Sequence, residues 1–212
     1  MALSSLVSAA LADSEAVQPE INEVEIGAGY VSDDSYRFGR YNGLEEEGAY
    51  IIGDVKARQY RDDAYNWRLR GTNLGLDSRY LRLEGGKQGA QEVYIEYQKM
   101  PNYINDSGAT PFSGAGSSNL TLPPGFDINT NLDQSLVGLD RETERERYGV
   151  GTSIIPRRLK NWNFRVAYQH ETKQGTSAIG GSMGGSFPAL TGNTTAASLP
   201  QPIDYVTDLV DL

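Results

Sequence analysis

Hydrophobic and polar residues alternate with a period of two through most of residues 48–98. Four successive segments show this pattern, each with apolar residues on one face and charged or small residues on the other. In the second segment, for example, Trp67 and Leu69 alternate with Arg68 and Arg70. Side chains of a strand point alternately to opposite faces, so this period predicts four β-strands. The connections between them are short, which predicts antiparallel hairpins.

The same alternation predicts further strands on both sides of this region, at residues 23–32, 144–155 and 162–170, with another beginning at residues 203–212. A soluble sheet needs a second apolar layer to cover its apolar face. The chain has no amphipathic helix of useful length that could form one. An apolar outer face and a charged inner face are typical of membrane barrels. We therefore predict an all-β fold, an antiparallel up-and-down transmembrane β-barrel.

Connection lengths predict the orientation of this barrel. The connections after the first, fifth and seventh strands are long, whereas those after the second, fourth and sixth are short. Outer-membrane barrels have short periplasmic turns and long external loops. We therefore predict that residues 23–212 form part of a barrel, with long external loops at residues 100–141 and 171–202.

Composition and the N-terminus agree with an exported membrane protein. Only 38% of the residues are hydrophobic, and no window holds the ~20 apolar residues that a spanning helix requires. The net charge of −9 argues against nucleic acid as a partner. Residues 1–12 predict a shortened signal peptide with an Ala-Leu-Ala cleavage site, and residues 13–22 a periplasmic segment. We expect the protein in the bacterial outer membrane, in contact with its lipid.

The two faces differ sharply in charge. We expect the outward residues Tyr30, Leu69, Ile95 and Phe164 to contact lipid. The inward face carries many charges, and its candidate lumen-facing or partner-facing residues are Arg58, Arg68, Arg70, Arg82 and Arg165. An eight-stranded barrel has a lumen that its own side chains fill, and burying so many charges there is costly. We therefore expect the N-terminal fragment of a large barrel. The inward arginines fit a solvated pore lining and a docking surface for an anionic partner equally well.

The residues predict no catalytic, metal or cofactor site. The chain has no cysteine and only one histidine, His170, so it offers no Cys-x-x-Cys-His motif and no bis-histidine haem ligation. Residues 180–184 match the nucleophile-elbow pattern, but that motif requires a strand, a helix and a downstream histidine. Glu45, Glu46 and Glu47 could bind a divalent cation at the external rim, although a solvated acidic loop is the favoured interpretation. We predict that the chain is not an enzyme.

Three phrases point to a known family. They are Gly-Tyr-Val-Ser-Asp-Asp-Ser-Tyr-Arg-Phe-Gly-Arg-Tyr-Asn-Gly at residues 29–43, Asn-Trp-Arg-Leu-Arg-Gly-Thr-Asn-Leu-Gly-Leu at residues 66–76, and residues 97–112 with Pro-Asn-Tyr-Ile-Asn-Asp. In them the chain resembles the MtrB/PioB outer-membrane proteins that are associated with decahaem cytochromes. Some members carry a Cys-x-x-Cys motif near the mature N-terminus, which this chain lacks.

The resemblance implies a barrel that sheathes and positions a periplasmic multihaem c-type cytochrome, so that electrons cross the outer membrane. The haems would be carried by the partner, and the chain itself would hold no cofactor. An extracellular multihaem cytochrome is a further expected partner. The resemblance also favours docking over a simple pore lining for the inward arginines. The alternative is a general diffusion porin or an adhesin-like barrel.

Overall fold

The computed structural model describes residues 22–61, 63–127, 130–183 and 195–212. The predicted signal peptide, and nearly all of the predicted periplasmic segment at residues 13–22, lie outside these ranges. The strands are β1 (Glu23–Val31), β2 (Gly48–Tyr60), β3 (Tyr65–Leu74), β4 (Tyr80–Lys87), β5 (Gln91–Thr110), β6 (Val137–Ile154), β7 (Phe164–Met183) and β8 (Thr195–Asp211). Two single-turn helices are α1 (Tyr36–Gly39), between β1 and β2, and α2 (Leu132–Ser135), between β5 and β6.

The eight strands form one antiparallel sheet in which each strand pairs with its neighbours in the sequence. This is the predicted up-and-down meander. Within the part of the chain that the structure describes, no pairing joins β1 to β8, so the sheet is open. No helix in that part is long and apolar enough to span a membrane.

The pairing register aligns residues of like character from strand to strand. Directly opposed residues share a face, and one row across the sheet is apolar throughout: Ala57, Leu69, Leu83, Ile95, Val150, Tyr168 and Val210. We call the surface that contains this row the apolar face. Ile26 and Ile51 on it are 79% and 70% exposed, as expected for side chains that meet lipid rather than protein.

All four residues predicted to contact lipid, Tyr30, Leu69, Ile95 and Phe164, lie on the apolar face. The opposite surface, here called the polar wall, carries the charged residues of the strands. The assignment of faces from the alternation therefore agrees with the register in every strand from β1 to β7.

The two segments predicted as long external loops are much shorter than expected. Strand β5 continues to Thr110 and β6 begins at Val137, so strand occupies both ends of residues 100–141. Likewise β7 continues to Met183 and β8 begins at Thr195, within residues 171–202. A membrane-spanning strand needs only ~9–11 residues, whereas β5 has 20. Beyond the membrane-spanning part, neither face of a hairpin has to meet lipid, so backbone pairing continues there without hydrophobic alternation.

The connection between β1 and β2 forms a strap, residues 32–47, which reaches across the short β3–β4 hairpin to β5. Tyr36 Oη donates a hydrogen bond to Glu142 Oε2 at 3.0 Å, and its ring lies 5.2 Å from that of Tyr103. The backbone N–H of Tyr103 donates to the Arg40 carbonyl at 3.1 Å. A small core at this end buries Leu76, Pro101, Tyr103, Phe112, Phe126 and Leu139. The predicted polar loop is thus folded onto the sheet.

Candidate functional site

The polar wall gathers the charged side chains of neighbouring strands into one surface. Register places all five candidate arginines, Arg58, Arg68, Arg70, Arg82 and Arg165, on this wall. Four of them lie on β2, β3 and β4, and Arg165 lies on β7. The prediction that they share a face is thus met by the pairing, whereas their role toward a partner stays a prediction.

Several cations on the wall stand directly opposite one another. Arg58 pairs with Arg68 across β2 and β3, and Arg70 is opposed by Lys56 on one side and Arg82 on the other. Like charges in directly opposed positions destabilise a sheet. This region of the wall is therefore stable only where anionic groups offset the repulsion.

Two glutamates supply part of that compensation. Glu84 accepts ion pairs from Arg68 and Arg82, each at 2.9 Å, and Arg82 also contacts Glu96 at 2.7 Å. The side chains of Glu84 and Glu96 are only 13% and 20% exposed, and carboxylates buried to this degree require partners. Arg68, Glu84, Arg82 and Glu96 thus form a continuous chain of ion pairs along the wall.

Small residues on β6 make room for this chain. The Tyr94 ring lies over Gly151 and the Glu96 side chain over Gly149, at distances that a β-carbon on either glycine would violate. The Arg82 guanidinium sits 4.0 Å from the centre of the Tyr94 ring, within range of a cation–π contact. Side chains of β5 therefore pack sideways across the wall instead of standing away from it.

Among the described residues, charge compensation on the wall is incomplete at Arg70, in the middle of β3, and at Arg165, near the short turns. Neither Arg70 nor Arg165 makes an ion pair within the described ranges. A cavity of about 350 Å³ opens near the short turns, lined by residues that include Arg58, Arg68 and Arg165, with Glu92 as the carboxylate of its described lining. Three of the five candidate arginines thus border one cavity. Its chemistry suits an anionic group.

A second, smaller cavity adjoins the chain of ion pairs. It has a volume of about 160 Å³ and is lined by Arg68, Arg70, Tyr80, Arg82 and Glu84. Arg70 thus lines the same cavity as Arg68 and Arg82, which both form ion pairs with Glu84. All five candidate arginines therefore line one cavity or the other.

The far end of the wall is more balanced in charge. Glu171 pairs with Arg147 at 2.7 Å and with Arg145 at 3.3 Å. Near the strap, an apolar cavity of about 330 Å³ is lined in part by Val31, Phe38 and Ile52. The two ends of the wall thus offer different surfaces, cationic near the short turns and mixed near the strap.

His170 lies on the apolar face and not on the wall. Its Nδ1 is 2.8 Å from Asp208 Oδ1, and the same oxygen accepts a hydrogen bond from Tyr168 Oη at 2.6 Å. Histidine, aspartate and tyrosine thus form one polar cluster beside apolar residues, which fits an interfacial position. Gly184, the last residue of the nucleophile-elbow pattern, lies outside the described residues.

The acidic residues of the strap do not converge on a metal site. Within the described ranges, no group of three histidine or acidic side chains is arranged to hold a metal ion. The Glu45 side chain packs against the strap, with one buried carboxylate oxygen, while Glu46 and Glu47 are exposed. Burial, followed by hydrogen bonding to Glu45, raises the pKa of Tyr103, so its hydroxyl is protonated at neutral pH.

Hydrophobic alternation does not identify the residues that hold the wall together. It places Glu84, Glu96 and Tyr94 on the charged face without indicating their partners, and it gives no reason for Gly149 and Gly151. The spacing Arg82-x-Glu84 places opposite charges on one face and was a usable signal. The pairing of Arg82 with Glu96 depends on register between two strands, which the local sequence does not state.

Comparison with known proteins agrees with this architecture. Residues 30–212 match the family described as outer membrane beta-barrel porin, MtrB/PioB. The chain is also similar to "Outer membrane protein MtrB" of Shewanella baltica (strain OS185), with 31% identity over 195 residues. That alignment covers 89% of this chain and 26% of the relative, so the chain spans about a quarter of the relative's length.

Proposed function

The chain belongs to the MtrB/PioB family of outer-membrane β-barrel porins, and on that premise we propose that it sheathes and positions a periplasmic multihaem c-type cytochrome for electron transfer across the outer membrane. The barrel contributes an insulating wall and the cytochrome contributes the haems. The observation that carries the proposal is the cationic cavity on the polar wall, bordered by Arg58, Arg68 and Arg165.

A cationic cavity inside a barrel suits the anionic groups of such a partner. Haem propionates and acidic side chains both carry carboxylates, and arginine binds carboxylates in a bidentate manner. Ion pairs in a confined lumen are screened less than those at an open surface. Complementary charge would also guide the partner into one orientation.

The candidate arginines divide into two groups by their contacts. Arg68 and Arg82 are already held by Glu84 and Glu96, so they chiefly stiffen the wall. Arg70 and Arg165 make no ion pair within the described part of the chain, and they are the cations we assign to the partner. Docking would therefore depend more on Arg70 and Arg165 than on the paired arginines.

The division of labour between barrel and cytochrome is tested with proteoliposomes that contain the full-length barrel. An external donor should reduce an enclosed dye when the cytochrome is present, and should not do so with the barrel alone. Electron transfer by the barrel alone would contradict the proposal that the haems of a partner form the conducting path.

Docking is tested by the double change Arg70→Glu and Arg165→Glu in the full-length protein. Cytochrome retained during purification should fall at least about tenfold, or ~1.4 kcal/mol, because both cations become repulsive toward carboxylates. Lys173→Glu is the matched control, since Lys173 lies on the same wall opposite Arg145, at the balanced end. Equal retention in the double variant and the control would contradict the assignment.

A second candidate is a general diffusion porin or adhesin-like barrel, which a charged, wettable wall also favours. A porin purified free of any haem protein should pass small solutes at a rate that Arg70→Glu and Arg165→Glu alter according to solute charge. If the chain is part of a sheath, solute flux should be low when the cytochrome fills the lumen, and the two changes should affect cytochrome retention more than solute flux.

We also expect the external ends of β5 to β8 to meet an extracellular multihaem cytochrome.

A further inference from the structure

The connection between β6 and β7 is a basic turn, residues 155–163. Arg157, Arg158 and Lys160 in it are all exposed. Unlike Arg68 and Arg82 on the polar wall, none of the three makes an ion pair within the described ranges. The turn is ordered by its own backbone, with the Leu159 N–H donating to the Pro156 carbonyl at 2.9 Å. Three cations are thus presented together, with no carboxylate partner among the described residues.

Exposed apolar side chains accompany these cations. Leu159, Trp162 and Phe164 are 49%, 61% and 50% exposed. The rings of Trp162 and Phe164 stack, with centroids 6.1 Å apart and planes 12° from parallel. Phe164 pairs with Ile154 on the apolar face, so the stacked pair lies at the edge of the lipid-facing surface. The alternation predicts that the strand begins at Trp162, whereas in the structure β7 begins two residues later, at Phe164.

The same edge continues along the sheet. Register connects Phe164 through Ile154 and Gln91 to Lys87, and the Lys87 ammonium lies 5.4 Å from the centre of the Tyr65 ring. Aromatic rings with adjacent cations are characteristic of the boundary between the membrane and water. The short-turn edge of the apolar face therefore has the composition of an interface with lipid headgroups.

We propose that the basic turn, together with Trp162 and Phe164, binds an anionic glycerophospholipid. Arg157, Arg158 and Lys160 would contact the headgroup phosphate, and the stacked rings would pack against the upper acyl chain. Basic residues beside a membrane favour anionic lipids, and short turns of outer-membrane barrels face the periplasmic side. An acidic protein partner would account for the three cations but not for the stacked rings at the lipid-facing edge. The ring pair therefore favours a lipid. The inference does not rest on the cytochrome proposal.

The test measures lipid binding to the full-length protein by native mass spectrometry from detergent, with phosphatidylglycerol and phosphatidylcholine as the probes. Wild-type protein should retain phosphatidylglycerol in preference to phosphatidylcholine. The triple change Arg157→Glu, Arg158→Glu and Lys160→Glu should weaken phosphatidylglycerol binding about tenfold or more, because each cation near an anionic headgroup contributes roughly a severalfold gain in affinity. Unchanged phosphatidylglycerol binding in this variant would overturn the proposal.

Matched variants separate charge from structure. Arg157→Lys, Arg158→Lys and Lys160→Arg preserve the charge and should preserve the lipid preference. Arg37→Glu reverses the charge of an exposed cation of the strap and should leave the lipid preference unchanged. Heat-modifiable migration on gels reports whether each barrel has folded. If the triple variant fails to fold, Arg158→Glu alone should still lower phosphatidylglycerol binding severalfold.

Two further arms distinguish other ligands. Trp162→Ala should weaken the binding of both lipids, whereas Trp162→Tyr should retain it, because the acyl chain packs against an interfacial ring. Soluble glycerol phosphate should not displace bound phosphatidylglycerol, and displacement would overturn the role of the ring pair. Loss of cytochrome co-purification in the triple variant, with phosphatidylglycerol binding intact, would assign the turn to a protein partner and overturn the proposal.

Discussion

At the scale of single residues, Gly151 determines how the polar wall packs. A β-carbon at this position would come 2.5 Å from a ring carbon of Tyr94, and the Tyr94 ring also contacts Arg82. We expect Gly151→Val to destabilise the full-length barrel by about 1–3 kcal/mol, the usual cost of overpacking. Denaturant titration in lipid vesicles measures this free energy of unfolding.

A double-mutant cycle tests the cause of that loss. Tyr94→Ala should recover part of the stability of the Gly151→Val variant, because the two side chains compete for one volume. Gly29→Ala is the control, since no atom outside its own neighbours lies within 4 Å of its β-carbon position. Additive effects of the two changes, with no coupling, would show that Tyr94 is not the obstacle.

At the scale of elements, the strap is held to β5 and β6 by a few specific contacts, and Tyr36 makes the most informative one. Burial, followed by the hydrogen bond to Glu142, raises the pKa of Tyr36. Its contribution is therefore complete below pH 10 and declines only as the pH rises through its raised value. Tyr36→Phe keeps the ring contact with Tyr103 and removes this hydrogen bond, worth about 0.5–1.5 kcal/mol.

The exposed residues Arg37 and Arg40 become trypsin sites when the strap backbone opens and can enter the protease, so the cleavage rate at neutral pH reports the loss. We expect Tyr36→Phe to raise that rate roughly two- to tenfold, when cleavage tracks the open population. Tyr41→Phe is the control, because the Tyr41 hydroxyl makes no hydrogen bond within the described part of the chain. Equal rates in both variants would show that the Tyr36 hydroxyl does not hold the strap.

At the scale of the whole molecule, the sheet is amphipathic, with lipid on one side and charge on the other. Arginine at the membrane midplane costs roughly 2–4 kcal/mol on the lipid face of a barrel. We expect Leu69→Arg and Ile95→Arg to show this cost, whereas Gln169→Arg on the polar wall should cost little. The measurement is again unfolding of the full-length protein in vesicles. Similar losses at all three sites would contradict the assignment of faces.

Orientation is a second property of the whole molecule. Protease added to intact cells should cleave within residues 111–136, between β5 and β6, because we predict that connection on the external side. The short turn at residues 88–90 should be spared until the membrane is permeabilised. Cleavage of the short turn first would reverse the orientation and would also move the lipid site to the other leaflet.

The sequence by itself determined which residues share a face. Alternation is local, because consecutive side chains of a strand point to opposite sides whatever the strand pairs with. That is why the five arginines, and the four residues predicted to contact lipid, fall on the two faces to which the alternation assigns them. A shift of one residue would exchange the two faces of a strand, so a strongly amphipathic sequence also restricts the register.

Only the tertiary structure decided where the long strands end and which charges are paired. Strand β5 passes Met100 and continues to Thr110 because its backbone pairing with β6 persists after hydrophobic alternation stops, in a region where tertiary packing buries Tyr103 and Thr110. Glu84 bridges Arg68 and Arg82 because register places residues from two strands side by side. The same pairing leaves Arg70 and Arg165 without an ion pair in the part of the chain that the structure describes, since a charge is compensated only by what folding brings within reach.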